Sequence, residues 1–354
     1  MKERNDKLNN ENNMRQLILS HLEEVEQQYG VKVLLAVESG SRAWGFHSAE
    51  SDWDVRFVYV HNLDWYLKVN EGRDVIEHMY DDDVDLVGWD LRKTLRLFQK
   101  SNPALMEWLH SPIIYRADEV FLSRMRGLEP TYFNPIKVMY HYASIYIKHD
   151  KRYLQNTAYP LKRFLYYLRG ILACRWVEER QSMPPVLFLD LVNGTVKEEA
   201  IRQKIQELLV LKKASKENDL KEVNSDLVEY ARHWADYYME RVGTFRPEHE
   251  KTFSDALDAI LFDMVQVHSK QESAMISKTY LDWSFDEDEQ HNYKFVVKSS
   301  EHKLLPSVRV RISVIGRPMH QYGTVLRVED DGIIIHTDEW LDISEEYAIE
   351  PIKN

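Results

Sequence analysis

The chain has 354 residues, 46 Lys/Arg against 58 Asp/Glu, and a formal net charge of −12, which excludes a polyanion binder that relies on overall charge. Hydrophobic residues make up 44%, with 20 Tyr and 9 Trp, enough for a sizeable core in roughly two or three domains. The one cysteine, Cys174, excludes an intrachain disulfide and a cysteine-rich zinc site, and its apolar setting "LRGILACRW" assigns it to a helical core.

The polar start "MKERNDKLNNENN" lacks the apolar segment of a secretory signal, and no apolar run approaches ~20 residues. A soluble, cytoplasmic protein is expected. Met14, Leu17, Ile18, Leu22 and Val25 recur at helical spacing. The run "VKVLLAV", 31–37, is predicted to be a buried strand, and Gly40 and Ser41 break it. A Gly-Ser turn exposes backbone N–H groups with little steric obstruction, a concavity that suits phosphate oxygens, and the hydroxyl adds a donor. A second strand, "SDWDVRFVYV", follows. Strand alternation puts Asp52, Asp54 and Arg56 on one face and Trp53, Val55 and Phe57 on the other. Two neighbouring carboxylates repel each other unless a cation joins them, and magnesium beside substrate phosphates is such a cation. A Gly-Ser turn alone, or D-x-D alone, is common; the two in this order are specific to phosphoryl-type chemistry.

In "DDDVDLVGWD" a further strand turns Val84, Leu86 and Gly88 one way and Asp83, Asp85 and Val87 the other. Asp90 is predicted to cap a helix running to about Gln99, and Pro103 to open another, "PALMEWLHS". Residues 126–268 read as largely helical, with Pro184-Pro185 interrupting and Asn193-Gly194 marking a turn. Within them, Lys137 to Arg180 hold a local excess of basic residues, and Lys162, Tyr166 and Arg169 share a helix face. An ordinary solvated face and a nucleic-acid patch with interleaved tyrosines are the competing readings. His141 and His149 lack metal-ligand spacing and are assigned to packing or surface. "SFDEDEQHN", 284–292, is predicted to be a solvated connection, and "PSVRVRISVIG", "GTVLRVED", "GIIIHT" and "YAIEPI" a small SH3-like β-barrel.

"GSRAWGF" followed by "SDWDVRFVYV" resembles the signature of the DNA polymerase β-like nucleotidyltransferase superfamily. With "DVDLVGWDLRKTLRLFQKSNPALMEWLHSPIIY" and "YPLKRFLYYLRGILACRW", residues 14 to about 260 are most similar to its YcgL-like branch, the RNA repair pathway polymerase β family. The resemblance implies an α+β protein with a small mixed sheet and helices in a catalytic domain at 14–125. A helical nucleotide- or substrate-binding region follows at 126–268, then a connecting segment at 269–300 and the β module at 301–354, outside the family core. It implies transfer of NMP from an NTP, ATP being the expected one, to an acceptor hydroxyl, with a two-ion Mg2+ site (Mn2+ the alternative) and release of pyrophosphate. An RNA or other nucleic-acid end is the expected acceptor. Protein or small-molecule nucleotidylation, and a non-catalytic nucleotide or RNA sensor, remain open.

By the same resemblance Asp52 and Asp54 hold metal, and a third carboxylate completes the site and helps deprotonate the acceptor. Asp85 is the choice, because an acid in an apolar strand pattern is harder to explain than one in a loop; Asp83 is the fallback. Gly40 and Ser41 would hold the terminal phosphates, Arg42 or Arg56 would assist, and Lys162 and Arg169, with Arg163 behind them, would meet the triphosphate. Arg56 could equally pair with Asp54. Base preference and oligomeric state are not fixed by the sequence.

Overall fold

In the computed structural model, which describes residues 2–48, 51–81, 83–153, 158–215, 219–242, 244, 255–274, 279–282, 292–297, 309–314, 320–329, 332–337 and 347–351, helix α1 (Lys2–Tyr29) leads into strand β1 (Val31–Glu38). There follow α2 (Gly40–Ala43), β2 (Trp53–His61), α3 (Leu63–Tyr66), β3 (Val75–Met79), β4 (Val84–Asp90), α4 (Leu91–Gln99), α5 (Pro103–Leu109) and β5 (Ile114–Ala117). The five strands form a mixed sheet in the order β3-β4-β2-β1-β5, with β2 and β4 parallel and the other pairs antiparallel.

Alternation decides what each face of that sheet does. Along β4, Val84, Leu86 and Gly88 are buried while Asp85, Val87 and Trp89 are half-buried, as the period of two requires. Ile18, Leu22 and Val25 of α1 pack with Val55, Phe57, Val84 and Leu86 in one apolar cluster, whereas Leu17 stays 36% exposed. The Asp90 side chain caps α4 by accepting from the Arg92 N–H at 2.8 Å, and Asn102 caps α5 from the Leu105 N–H at 3.0 Å, with Pro103 in the first turn.

The helical part comprises α6 (Glu119–Tyr132), α7 (Pro135–Tyr153), β6 (Ala158–Pro160), α8 (Leu161–Arg180), α9 (Phe188–Thr195), α10 (Glu199–Ala214), β7 (Leu220–Glu222), α11 (Ser225–Val242) and α12 (Asp255–Ala274). Its core centres on α8, where Phe164, Leu168, Ile171, Cys174 and Val177 are all buried. Burial pushes the Cys174 thiol well above its usual range, so the cysteine is inert packing, as expected. Asn193-Gly194 do not form the predicted turn. They lie inside α9, where the Trp176 ring would stand 2.3 Å from any Cβ on Gly194; the glycine serves close helix packing.

Met1–His61 with Trp65–Met264 form one compact unit, and Asn62–Asp64 with Val265–Asn354 a second. The sheet and the helices placed on either side of residue 125 therefore share the first unit. In the second, β8 (Thr279–Asp282), β9 (Asn292–Val297), β10 (Arg309–Val314), β11 (His320–Glu329), β12 (Gly332–Thr337) and β13 (Tyr347–Pro351) close an antiparallel barrel. Val310, Ile312, Val325, Ile335 and Ile349 are buried there. Strands β8 and β9 come from 269–300, read as a connecting segment, and pair along Thr279↔Val297 to Asp282↔Lys294. Residues 284–291 of the predicted solvated connection lie outside the described residues. Among those described, no helix is long and apolar enough to cross a membrane.

Candidate active site

Strand β1 ends in Glu38, and the chain turns at Gly40 with φ +59°, a conformation glycine tolerates best. A second constraint acts there. A Cβ on Gly40 would stand 2.3 Å from Oδ2 of Asp54, so the Asp54 carboxylate packs directly on the glycine backbone. The Ser39 N–H donates to the Asp54 carbonyl at 2.8 Å, tying the turn to β2. On the adjacent parallel strand, Asp85 is the register partner of Asp54. Arg56 joins the two carboxylates, donating from Nη2 to Asp54 Oδ1 at 3.0 Å and to Asp85 Oδ2 at 2.8 Å. Burial raises the Asp54 pKa; Arg56 opposes this, while Asp85 and Asp52 reinforce it.

The predicted turn and the predicted acids thus meet in space. Residues 14–263 match the RNA repair pathway DNA polymerase beta family. The chain belongs to that family. A relative, the uncharacterized protein YcgL of Bacillus subtilis (strain 168), is 41% identical over 254 residues, 72% of this chain and 97% of that protein. The barrel unit lies almost wholly beyond the matched span. The crystal structure of a nucleotidyltransferase-like protein from Exiguobacterium sibiricum 255-15 aligns over 94% of this chain and 98% of that one, at 12% identity and a TM-score of 0.23, a likeness too weak to bear on the fold.

Asp85 and Asp83 differ in place. Asp83 is exposed, precedes β4 and has φ +62°, whereas Asp85 stands beside Asp54. Asp52 is exposed at the entry to β2. The donor set suits a hard divalent cation in kind, since adjacent carboxylates with oxygen donors are what magnesium takes. Among the described residues, however, no group of three His, Cys, Asp or Glu side chains is gathered for a metal; Arg56 holds the Asp54–Asp85 pair.

Two of the predicted phosphate cations have other engagements. Arg42 donates from Nε to the Asp52 carbonyl at 2.9 Å and from Nη2 to the Ser51 carbonyl at 2.6 Å, with its guanidinium 3.6 Å over the Trp53 ring. It fixes the loop that carries Asp52. Arg169 is 2% exposed, pairs with Glu107 at 3.0 Å and donates to the Val186 carbonyl at 3.0 Å. Sharing a helix face with Lys162 does not make it solvent-facing, because that end of the face meets Glu107. Lys162 is half-buried, and its charge is the smallest of the effects acting on the Asp54 carboxyl, opposing the rise that burial causes; Arg163 is exposed.

Glu38 was missed, because it ends an apolar strand and its partners are remote in sequence. It is fully buried, accepts from the Asp54 N–H at 2.9 Å and receives the Tyr115 hydroxyl. It is a positioning residue for Asp54. Burial pushes its pKa from 4.5 to about 7, against the opposing effects of Tyr115 and the Asp54 N–H. The folded state therefore binds this proton more tightly than the unfolded chain. The stability it contributes is full below about pH 4.5 and lost as pH rises through about 7, on the order of 3 kcal/mol at 1.36 kcal/mol per pKa unit. Glu38→Gln is expected to flatten the fall in unfolding free energy between pH 5 and 7.5, measured by urea titration. Equal slopes in both proteins would show that Glu38 is ionised throughout.

Proposed function

We propose that the protein is a nucleotidyltransferase that moves NMP from an NTP, with ATP the expected donor, to an acceptor hydroxyl, pyrophosphate leaving. The observation that supports this most is the seating of the Asp54 carboxylate on Gly40 with Asp85 alongside, which puts the Gly40-Ser41 turn against paired acids. Asp54 and Asp85, joined by Asp52, would hold magnesium (manganese the alternative), which when bound offsets the charge that builds on the phosphates. Leading N–H groups of a helical turn have no carbonyl of their own turn to bond, and those of Gly40 and Ser41, with the Ser41 hydroxyl, hold the departing phosphates. Lys162 adds positive charge toward the same groups. Arg56 engages Oδ2 of Asp85, so we assign Oδ1 to the acceptor hydroxyl, which it orients and whose proton it takes.

The family's RNA repair designation supports an RNA end as acceptor. The C-terminal barrel, which we read as SH3-like, would tune acceptor choice and supplies none of the site's acids. One observation favours a second reading: Arg56 already bridges Asp54 and Asp85 and offsets one of their two charges, as suits a protein that binds nucleotide without chemistry. α-Labelled NTP with magnesium, offered to RNA and then to a protein lysate, separates the readings: label in RNA supports the first, label in protein moves the acceptor, and label in neither with NTP bound supports the sensor. Asp85→Ala is expected to lose at least ~100-fold in turnover, and Asp83→Ala much less. The reverse order would mean that Asp83 is the third carboxylate.

A further inference from the structure

Next to Ser39, the residue before the Gly40 turn, the first unit contains a cavity of about 190 Å³. Roughly 150 Å³ is enough for a benzene ring, so the space admits one planar ring system and not a whole nucleoside triphosphate. Its wall is aromatic, with Trp44 from the loop after the turn, Trp108 from α5, Tyr142 from α7 and Tyr166 from α8. The charged groups of the lining already have partners. Glu107 accepts from Trp44 Nε1 at 3.2 Å, from the Tyr142 hydroxyl at 2.6 Å and from Arg169 Nη2 at 3.0 Å. Burial alone would raise the Glu107 pKa; Arg169 and these donors outweigh it and hold the carboxyl low. One carboxylate thereby fixes two of the wall's rings and the Arg169 guanidinium, which lies 4.5 Å over Trp44.

Such a space offers little to an anion, because Glu107 balances the Arg169 charge. A flat, neutral ring gains stacking on side chains that need no further ordering. His141, in the same wall, has its pKa lowered by burial, and a neutral imidazole presents one donor and one acceptor to a ring edge. Tyr166 also lies one helical turn beyond Lys162, whose charge acts on the Asp54 carboxyl.

We infer that this cavity is a nucleobase site. The inference rests on the nucleotidyl-transfer reading: a base seated here sends its sugar and phosphates past Ser39 toward Gly40 and Ser41. The donor NTP and the acceptor RNA both carry bases, and the test distinguishes them. The four ribonucleosides, magnesium tripolyphosphate, ATP and a short single-stranded RNA are titrated into wild type, Tyr166→Ala, Tyr166→Phe and Ile145→Trp. Tyr166→Ala is expected to weaken nucleoside binding about 5- to 100-fold, the range of one lost base stack, with Tyr166→Phe restoring it and tripolyphosphate binding unchanged. Ile145 also lines the cavity, so Ile145→Trp should block nucleosides by filling it, without removing a packed ring should the alanine variant not fold. A loss that extends to ATP assigns the base to the donor; one that extends only to RNA assigns it to the acceptor. Absent nucleoside binding in wild type, or nucleoside binding unchanged in both the alanine and tryptophan variants, overturns the nucleobase site. Failure of wild type to bind tripolyphosphate would count against the transferase reading, and the nucleoside result would still decide the cavity.

Discussion

Asp54→Asn is expected to lower nucleotidyl transfer by at least ~100-fold while leaving the protein folded. Asparagine has the shape of aspartate, so it still fits against Gly40 and can still accept from Arg56 Nη2 at the place where Oδ1 stands. It lacks the negative charge that would hold a divalent cation beside the phosphates. Losing several kcal/mol of charge stabilisation, at 1.36 kcal/mol per factor of ten, gives the stated drop. Stability should move the other way or not at all. The Asp54 pKa is raised in the fold, chiefly by burial, so the ionised carboxylate is less favourable there than in the unfolded chain. The neutral amide removes that penalty and the repulsion from Asp85. Turnover and thermal midpoint measured on one preparation check both parts; most of the activity surviving in the variant would rule out the acids as the reaction's platform.

Glu107→Ala is expected to cost at least ~3 kcal/mol of stability, the scale of leaving one member of a buried ion pair uncompensated. Arg169 is 2% exposed, and Glu107 is the carboxylate paired with it. The Tyr142 hydroxyl and Trp44 Nε1 lose their acceptor in the same substitution, and each unsatisfied buried donor adds to the loss. The double variant Glu107→Leu/Arg169→Leu should recover much of it, since replacing both members by apolar groups removes the stranded charge. Urea unfolding of the three proteins tests this. A cost below about 1 kcal/mol for the single variant, within the range of exposed pairs, would mean that Arg169 reaches water and could meet a phosphate after all.

The parts of the site that follow from local periodicity were legible in the sequence. Alternation placed Asp54 and Arg56 on one face of β2 and separated Asp83 and Asp85 from the apolar face of β4, while the strand register that sets Asp85 beside Asp54 came only with the structure; the Gly40-Ser41 break fixed where β1 ends. What stayed hidden depends on partners far along the chain. Glu38 looks like the last residue of an apolar strand until Tyr115, 77 positions later, meets it. Arg169 reads as a solvated helix cation because nothing nearby in sequence announces Glu107, 62 residues earlier. Arg42 follows the Gly-Ser turn as a phosphate ligand would, yet it bonds the carbonyls of the next loop. In the barrel, β8 and β9 are 4 and 6 residues long and flank an acidic stretch, so their patterns were too short to outweigh that composition.

Nucleotidyl transfer differs from phosphoryl transfer and from hydrolysis in which phosphorus changes partner, and a doubly labelled donor reports that directly. ATP carrying one label on the α-phosphorus and another on the γ-phosphorus is incubated with magnesium, the protein and RNA, alongside the Asp54→Asn variant. The α-label is expected in the RNA and the γ-label in free pyrophosphate, in equal amounts, with both signals lost in the variant. The γ-label in the acceptor, or its release as inorganic phosphate with the α-label remaining in ADP, would contradict nucleotidyl transfer at this site.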